Sequence, residues 1–376
     1  MKELQDIIKA FQKLESCGKT AALATLVKLQ GSSYRQPGAR MLLTEEGAVA
    51  GSLSGGCLED DVLERAGEVM RSGNPIAVEY DTNAGEDIIW GLGLGCNGIV
   101  RILIECLAQE CQANPITFIS ECFHRRQVGA IATVFSVTGE LSAKVGDRLM
   151  LRQDGAIINN IADSDLAGAL REGALEVLEN SRSTVKLYAL KAGKAEVFIE
   201  VIPPPVRLLL FGAGAGAVPV VRFAKELGWQ VTVIDRRPAY ATPARFPHAH
   251  EVIVAGAETI DRHIQPDSRT VAAVMTHQYL RDLEILKILL TSPLPYVGLL
   301  GSKSRSEKLL VELQEKGVII KSEHLARFYS PVGLDIGAET PEEIALAVLA
   351  EIQAVLAGRQ GGFLKRRWGP IHPPIQ

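Results

Sequence analysis

Hydrophobic and polar positions follow two different regimes along the chain. From residue 207 onward, short apolar runs alternate with segments of helical period. Arg207-Leu208-Leu209-Leu210-Phe211 reads as a buried strand, 218–228 as a helix and 230–234 as the next strand. Residues 251–254, 270–275 and 296–299 read as further strands, and 283–290 and 307–316 as helices. Strand and helix in alternation predict a doubly wound, Rossmann-like parallel sheet with helices on both faces. In Thr340-Pro341-Glu342-Glu343, Thr340 suits an N-cap, Pro341 a first helical position and Glu343 a reciprocal cap. The helix they open runs over 344–356 and stops at Gly358.

The first 200 residues read differently, as an α+β domain built from a degenerate internal repeat. A gapless shift of 108 residues aligns Ala22, Ala24 and Thr25 with Ala130, Ala132 and Thr133. It aligns Gly31, Gly38, Arg40 and Gly47 with Gly139, Gly146, Arg148 and Gly155, and Ala66, Glu68 and Val69 with Ala174, Glu176 and Val177. The copies span about 15–110 and 125–200, and each reads as strand, glycine turn, strand, turn and helix. The first strands are 21–29 and 130–137, the second 39–44 and 147–152, and the helices 57–72 and 165–180. Copy two lacks the glycine–cysteine elements of copy one: Asp163-Ser164-Asp165 stands opposite Gly55-Gly56-Cys57, and Gly91–Gly98 has no counterpart. Copy one therefore carries the special chemistry and copy two reads as scaffold. The prolines of 201–206 stiffen a linker before the second domain, 207–358, and 359–376 form a tail.

Composition narrows the function. The chain has 376 residues, 47% of them hydrophobic and 22% charged, enough to bury sizeable cores. A net charge of -4 is not the footprint of a nucleic-acid binder; Lys365-Arg366-Arg367 is the one basic run and reads as a solvated tail. Met1 to Lys13 has the pattern of an amphipathic helix and no signal-peptide core. The apolar stretch 206–221 is interrupted by glycines and Pro219 and is too short for a bilayer. The six cysteines, Cys17, Cys57, Cys96, Cys106, Cys111 and Cys122, show no C-x-x-C spacing, and reduced thiols in the cytoplasm are expected. A soluble homodimer is the base expectation.

Candidate chemistry falls at four places. Gly212-Ala213-Gly214-Ala215-Gly216-Ala217 follows the first strand of the second domain and fits G-x-G-x-x-A. Its glycines allow a tight turn and let a pyrophosphate approach backbone N–H groups at a helix start. Asp235 ends the next strand, where a carboxylate would bind ribose hydroxyls; Arg236 and Arg237 beside it leave the choice of adenine cofactor open. Gly298-Leu299-Leu300-Gly301 leads into Ser302, Lys303, Ser304 and Arg305 at a helix N-terminus, a setting for an anion. His277 follows an apolar strand at the ligand-binding edge, and Asp282, five residues on, is placed to orient it as an acid–base pair. In the first domain, Cys57 at a helix start and Cys96 in a glycine loop are candidate reactive thiols or soft ligands.

These motifs carry a resemblance. Gly31-Ser32-Ser33-Tyr34-Arg35-Gln36-Pro37-Gly38-Ala39-Arg40-Met41, Ser54-Gly55-Gly56-Cys57-Leu58-Glu59 and Gly93-Leu94-Gly95-Cys96-Asn97-Gly98 resemble the N-terminal domain of the XdhC/CoxI family. Met275-Thr276-His277, Gly298-Leu299-Leu300-Gly301-Ser302 and 331–345 resemble its Rossmann domain; the likeness is thin over 115–205. Phe328-Tyr329-Ser330 departs from the family pattern, in which a histidine and an alanine often precede the equivalent of Pro331. The resemblance implies an accessory protein that binds molybdenum cofactor (molybdopterin, plain or as a dinucleotide) and shields it during sulfuration by a cysteine desulfurase. It also implies delivery to a molybdenum hydroxylase such as xanthine or carbon monoxide dehydrogenase. Under it, Arg35 and Arg40 become candidate phosphate-end contacts, Gly55 and Gly56 candidate cofactor contacts, and Cys57 and Cys96 candidates for the molybdenum end. A dinucleotide form would explain the attached pyrophosphate-binding fold. Two other readings stand beside it. One is an NAD(P)-dependent oxidoreductase with His277 as proton donor and Asp235 on the ribose. The other is an adaptor that binds no cofactor.

Overall fold

The computed structural model describes residues 1–31, 35–56, 58–81, 98–107 and 113–372. Two compact units have their main segments over Glu3–Pro204 and Pro205–Ile371.

The N-terminal unit repeats one topology. The first copy contains α1 (Lys2–Ser16), β1 (Ala21–Gly31), β2 (Arg40–Thr44), β3 (Gly47–Gly51), α2 (Glu59–Ser72), β4 (Ile76–Asp81) and β5 (Gly98–Leu107). The second contains α3 (Pro115–Arg125), β6 (Gly129–Gly139), β7 (Arg148–Arg152), β8 (Ile157–Asn159), α4 (Ser164–Asn180), β9 (Thr184–Leu190) and β10 (Gly193–Ile202). The sheets have matching strand orders, β3-β2-β1-β5-β4 and β8-β7-β6-β10-β9. Each copy is thus longer than the strand–turn–strand–turn–helix unit expected from sequence: a third strand precedes the helix and two further strands return after it. The helix after Gly56 also starts at Glu59 rather than at residue 57.

Packing explains why β1 and β6 are apolar at consecutive positions rather than alternating: both faces of each strand are covered. Ala22, Ala24, Leu26, Met41 and Leu43 meet Val62, Ala66 and Val69 of α2 on one face. Ala130, Ala132, Val134, Leu149 and Leu151 meet Leu166, Leu170, Ala174 and Val177 of α4 in the same way. On the other face the two copies meet through Val27, Leu103, Phe135 and Phe198. Val27 and Phe135 sit at the register irregularities of their strands, where a bulge turns an extra side chain toward the partner sheet.

The C-terminal unit contains β11 (Arg207–Phe211), α5 (Ala217–Glu226), β12 (Gln230–Asp235), β13 (Glu251–Val254), a 3-10 segment (Ala257–His263) and β14 (Thr270–Val274). It continues through α6 (Tyr279–Leu289), β15 (Val297–Leu299), α7 (Lys303–Glu315), α8 (Ser322–Leu325), β16 (Phe328–Tyr329) and α9 (Pro341–Leu356). The sheet is parallel throughout, in the order β13-β12-β11-β14-β15-β16. Alternate residues feed opposite cores: Leu208 and Leu210 pack with α5 and α9, while Leu209 and Phe211 pack with α6 and α7. The start of α9 has the expected capping box. Thr340 accepts from the Glu343 N–H, and Glu343 accepts from the Thr340 N–H at 2.8 Å. The strand order reverses between β11 and β14, which creates a crevice at their C-terminal ends. Among the described residues, no helix is long and apolar enough to cross a membrane.

Candidate functional site

The crevice of the C-terminal unit gathers most of the expected site residues. The glycine loop leaves β11 at Gly212, whose φ of 113° is a left-handed conformation. A Cβ there would lie 2.6 Å from the carbonyl oxygen of Met275, so glycine is required by both backbone and space. Gly214 has no atom within 4 Å of where a Cβ would stand, and Gly216 meets only the end of Met275 at 3.6 Å. Gly216 is the N-cap of α5 and supplies no side-chain cap. The loop therefore offers an open cradle at a helix N-terminus, which fits a phosphate or pyrophosphate.

Asp235 reaches this loop, but not in the role expected. Its carboxylate accepts from the Ala213 N–H at 2.8 Å, from the Arg237 N–H and Nε at 2.9 Å each, and from Arg237 Nη2 at 2.7 Å. The residue is only 4% exposed. Burial alone would raise its carboxyl; the Arg237 guanidinium and the two backbone N–H groups outweigh it and hold the group at about 2. With both oxygens engaged, Asp235 is a strut between β12 and the glycine loop rather than an open acceptor for ribose hydroxyls.

The acid–base pair also resolves differently. His277 is exposed, with φ of 59°, at the C-terminal end of β14. Asp282 is fully buried and does not hydrogen-bond to it. Asp282 accepts instead from the Thr276 hydroxyl and from Arg305 Nη2 at 2.5 Å. Burial pushes the Asp282 carboxyl up, against the Thr276 hydrogen bond and the Arg305 charge. Arg305 is thereby engaged within the protein, and Ser302 caps α7 by accepting from the Arg305 N–H. Lys303 remains exposed. Asp282 thus ties the β14 edge to the start of α7, a link that its position after His277 did not reveal.

The N-terminal unit carries the second group. Ser54-Gly55-Gly56 lies in a loop held by Glu59, the first residue of α2. Glu59 accepts from the N–H groups of Leu53, Ser54 and Leu58 at 3.3, 2.9 and 3.1 Å, and from the Ser54 hydroxyl. Burial would raise the Glu59 carboxyl, but the Ser54 hydroxyl and these N–H groups bring it below its ordinary value. The hydroxyl of Ser54 also accepts from Gly56 and Leu58 at 3.2 and 3.3 Å. Neither Gly55 nor Gly56 has an atom of the described residues within 4 Å of a would-be Cβ. The loop is preorganised, and no described residue crowds its backbone. Cys57 and Cys96 lie outside the described residues, and among the described residues no cluster of His, Cys, Asp and Glu could hold a metal ion.

Arg40 is not an open phosphate contact. It is 2% exposed and pairs with Glu200, while Nη1 donates to the Gly38 carbonyl at 2.9 Å. Its repeat equivalent Arg148 pairs with Glu105, so each copy buries an arginine against a carboxylate of the other. Arg35 is partly exposed and paired with Glu3.

Residues 208–352 match the family described as the XdhC Rossmann domain, and 15–81 and 122–189 match the XdhC and CoxI family. The chain is 36% identical over 332 residues to a probable xanthine dehydrogenase subunit of Bacillus subtilis, spanning 88% of this chain and 92% of that protein. It is 25% identical over 340 residues to the molybdenum cofactor insertion chaperone PaoD of Escherichia coli, spanning 90% and 84%. A crystal structure from Bacillus halodurans, described as a xanthine dehydrogenase, is similar with a TM-score of 0.76 at 28% identity, covering 94% of this chain and 96% of that one.

Proposed function

This chain belongs to the XdhC and CoxI family, and on that premise we propose that it is an accessory protein in the maturation of a molybdenum hydroxylase. It binds molybdenum cofactor as cargo and holds it while the persulfide of a cysteine desulfurase, with two electrons from an external reductant, replaces an oxygen ligand by sulfide with loss of water; it then passes the cofactor to the client enzyme. The carrying observation is likeness along nearly the whole chain to a protein named as a molybdenum cofactor insertion chaperone. Two features of the geometry support it. The Ser54–Gly56 loop, braced by Glu59, offers unhindered backbone next to Cys57, and the Gly212–Gly216 loop offers a phosphate cradle. Cys57 and Cys96 are the proposed contacts to the molybdenum end, and exposed Lys303 is a candidate for the phosphate end. Arg35 can serve there only by leaving Glu3.

Reconstitution tests this. Client hydroxylase lacking its cofactor is mixed with chain loaded with molybdenum cofactor, desulfurase, cysteine and a thiol reductant. Activation that needs the chain, and that falls away with Cys57→Ala or Cys96→Ala, is expected. Equal activation by free cofactor, or by chain with both cysteines replaced, would overturn the proposal.

A further inference from the structure

Two arginines, Arg237 and Arg281, converge on one carboxylate, Asp235, at the C-terminal end of β12, and Arg236 follows it in the chain. Arg237 and the Ala213 N–H already saturate Asp235. Arg281, in the first turn of α6, comes within 3.8 Å of the same carboxylate with its side chain 13% exposed. Its Nε is buried with no hydrogen-bond partner among the described residues. Arg236 is exposed and has no ion-pair partner among the described residues. Burial and the charges of Arg236 and Arg237 push the Arg281 guanidinium down, the mark of positive charge in excess of its compensation.

Beside this cluster opens a cavity of about 370 Å³. Phe211, Ile234, Val254 and Ile260 supply apolar wall, and Arg236 and Arg281 supply positive charge. Glu258 and Glu284 also line it, but both are exposed and solvated, whereas Arg281 is largely shielded from water. A dinucleotide with its pyrophosphate on the α5 N-terminus places a ribose next to the end of β12. A free carboxylate there selects a ribose 2′-hydroxyl, and an arginine accommodates a 2′-phosphate. Asp235 has no free oxygen, and two guanidiniums remain.

We propose that this cavity binds the phosphorylated ribose end of a dinucleotide, with Arg236 and Arg281 on a phosphate monoester, so that the chain selects NADP(H) over NAD(H). The proposal concerns binding and stands apart from the maturation role. The pterin cytosine dinucleotide has no monoester to present to these arginines.

Isothermal titration of the full chain with NADP+, NAD+, 2′,5′-ADP, CTP and inorganic phosphate tests it. NADP+ and 2′,5′-ADP bind more tightly than NAD+ and CTP, by about tenfold for a charge-assisted guanidinium–phosphate contact. The double variant Arg236→Ala/Arg281→Ala brings NADP+ to the level of NAD+ and leaves NAD+ within about twofold. Arg281→Lys keeps part of the preference, and added salt reduces it. Thermal melting of each variant separates lost binding from lost folding, and Arg236→Ala alone, at an exposed site, keeps the test open if Arg281→Ala unfolds. Equal affinity for NADP+ and NAD+, tighter CTP than NADP+, or binding of inorganic phosphate alone would overturn the proposal. Molybdopterin content is assayed in the same preparations. Molybdopterin without the preference refutes this inference and leaves the maturation role standing; the preference without molybdopterin upholds it and counts against that role.

Discussion

Arg40 and Arg148 hold guanidinium groups out of water, each facing one carboxylate from the other copy. Truncating one partner leaves an uncompensated buried charge. Arg40→Ala is therefore expected to cost about 3–5 kcal/mol in urea unfolding, and Arg40→Met with Glu200→Leu to recover most of it. A loss under about 1 kcal/mol in the single variant would show that the pair carries little of the fold. Asp235 makes a prediction in pH. Its folded value of about 2 lies below the unfolded value of about 3.9, so the stability it lends is complete above about pH 4 and is lost as pH falls toward 2. That is about 2–3 kcal/mol, and Asp235→Asn should flatten this acid limb; an unchanged limb contradicts the assignment. Asp282 has the opposite sign. Its raised folded value makes its ionisation unfavourable to folding as pH rises, and acid relieves it. The sequence makes Arg40 and Asp235 legible as charged groups beside glycine turns, but not their engagement. Glu200 is 160 residues from Arg40 in the chain, and only the pairing of two sheets brings them together.

The glycine loop before α5 separates folding from binding within one turn. Gly212→Ala drives a Cβ into Met275 in a left-handed conformation and should destabilise the unit by more than about 1 kcal/mol in thermal unfolding. Gly214→Ala meets nothing within 4 Å, so it should melt close to wild type while weakening nucleotide or pterin binding. Equal melting of the two variants would contradict this division. At the start of α2, Glu59→Ala removes the acceptor for three N–H groups and one hydroxyl. It should speed amide exchange at Ser54 and Leu58 by about tenfold, and unchanged exchange would mean the loop is held by other means. The doubly wound sheet was legible because apolar runs, glycine loop and helix caps all agree there. The repeat was legible only over its first half. Arg40 and Arg148 stand 108 residues apart, but Gly98 and Gly193, which open β5 and β10, stand only 95 apart. A gapless shift loses register between them, so the returning strands are not legible from it.

The molecule as a whole joins a duplicated α+β unit to a Rossmann-like unit, and both match one family. The copies share topology while the open Gly55-Gly56 loop belongs to copy one alone, where Asp163 instead caps α4 in copy two. The two copies thus share one scaffold and differ at this loop, and the second unit adds a glycine loop at the N-terminus of α5. In the proposed role the chain carries molybdenum cofactor, and Cys57 and Cys96 matter more to what it retains than to how stably it folds. The direct measurement is molybdenum and pterin content of the freshly purified chain from a host that makes the cofactor, with Cys57→Ala and Cys96→Ala purified in parallel. Molybdopterin in the wild type, lost in at least one cysteine variant with unchanged melting, is the predicted result. A chain that carries no molybdenum or pterin from such a host, under any growth condition, would contradict it.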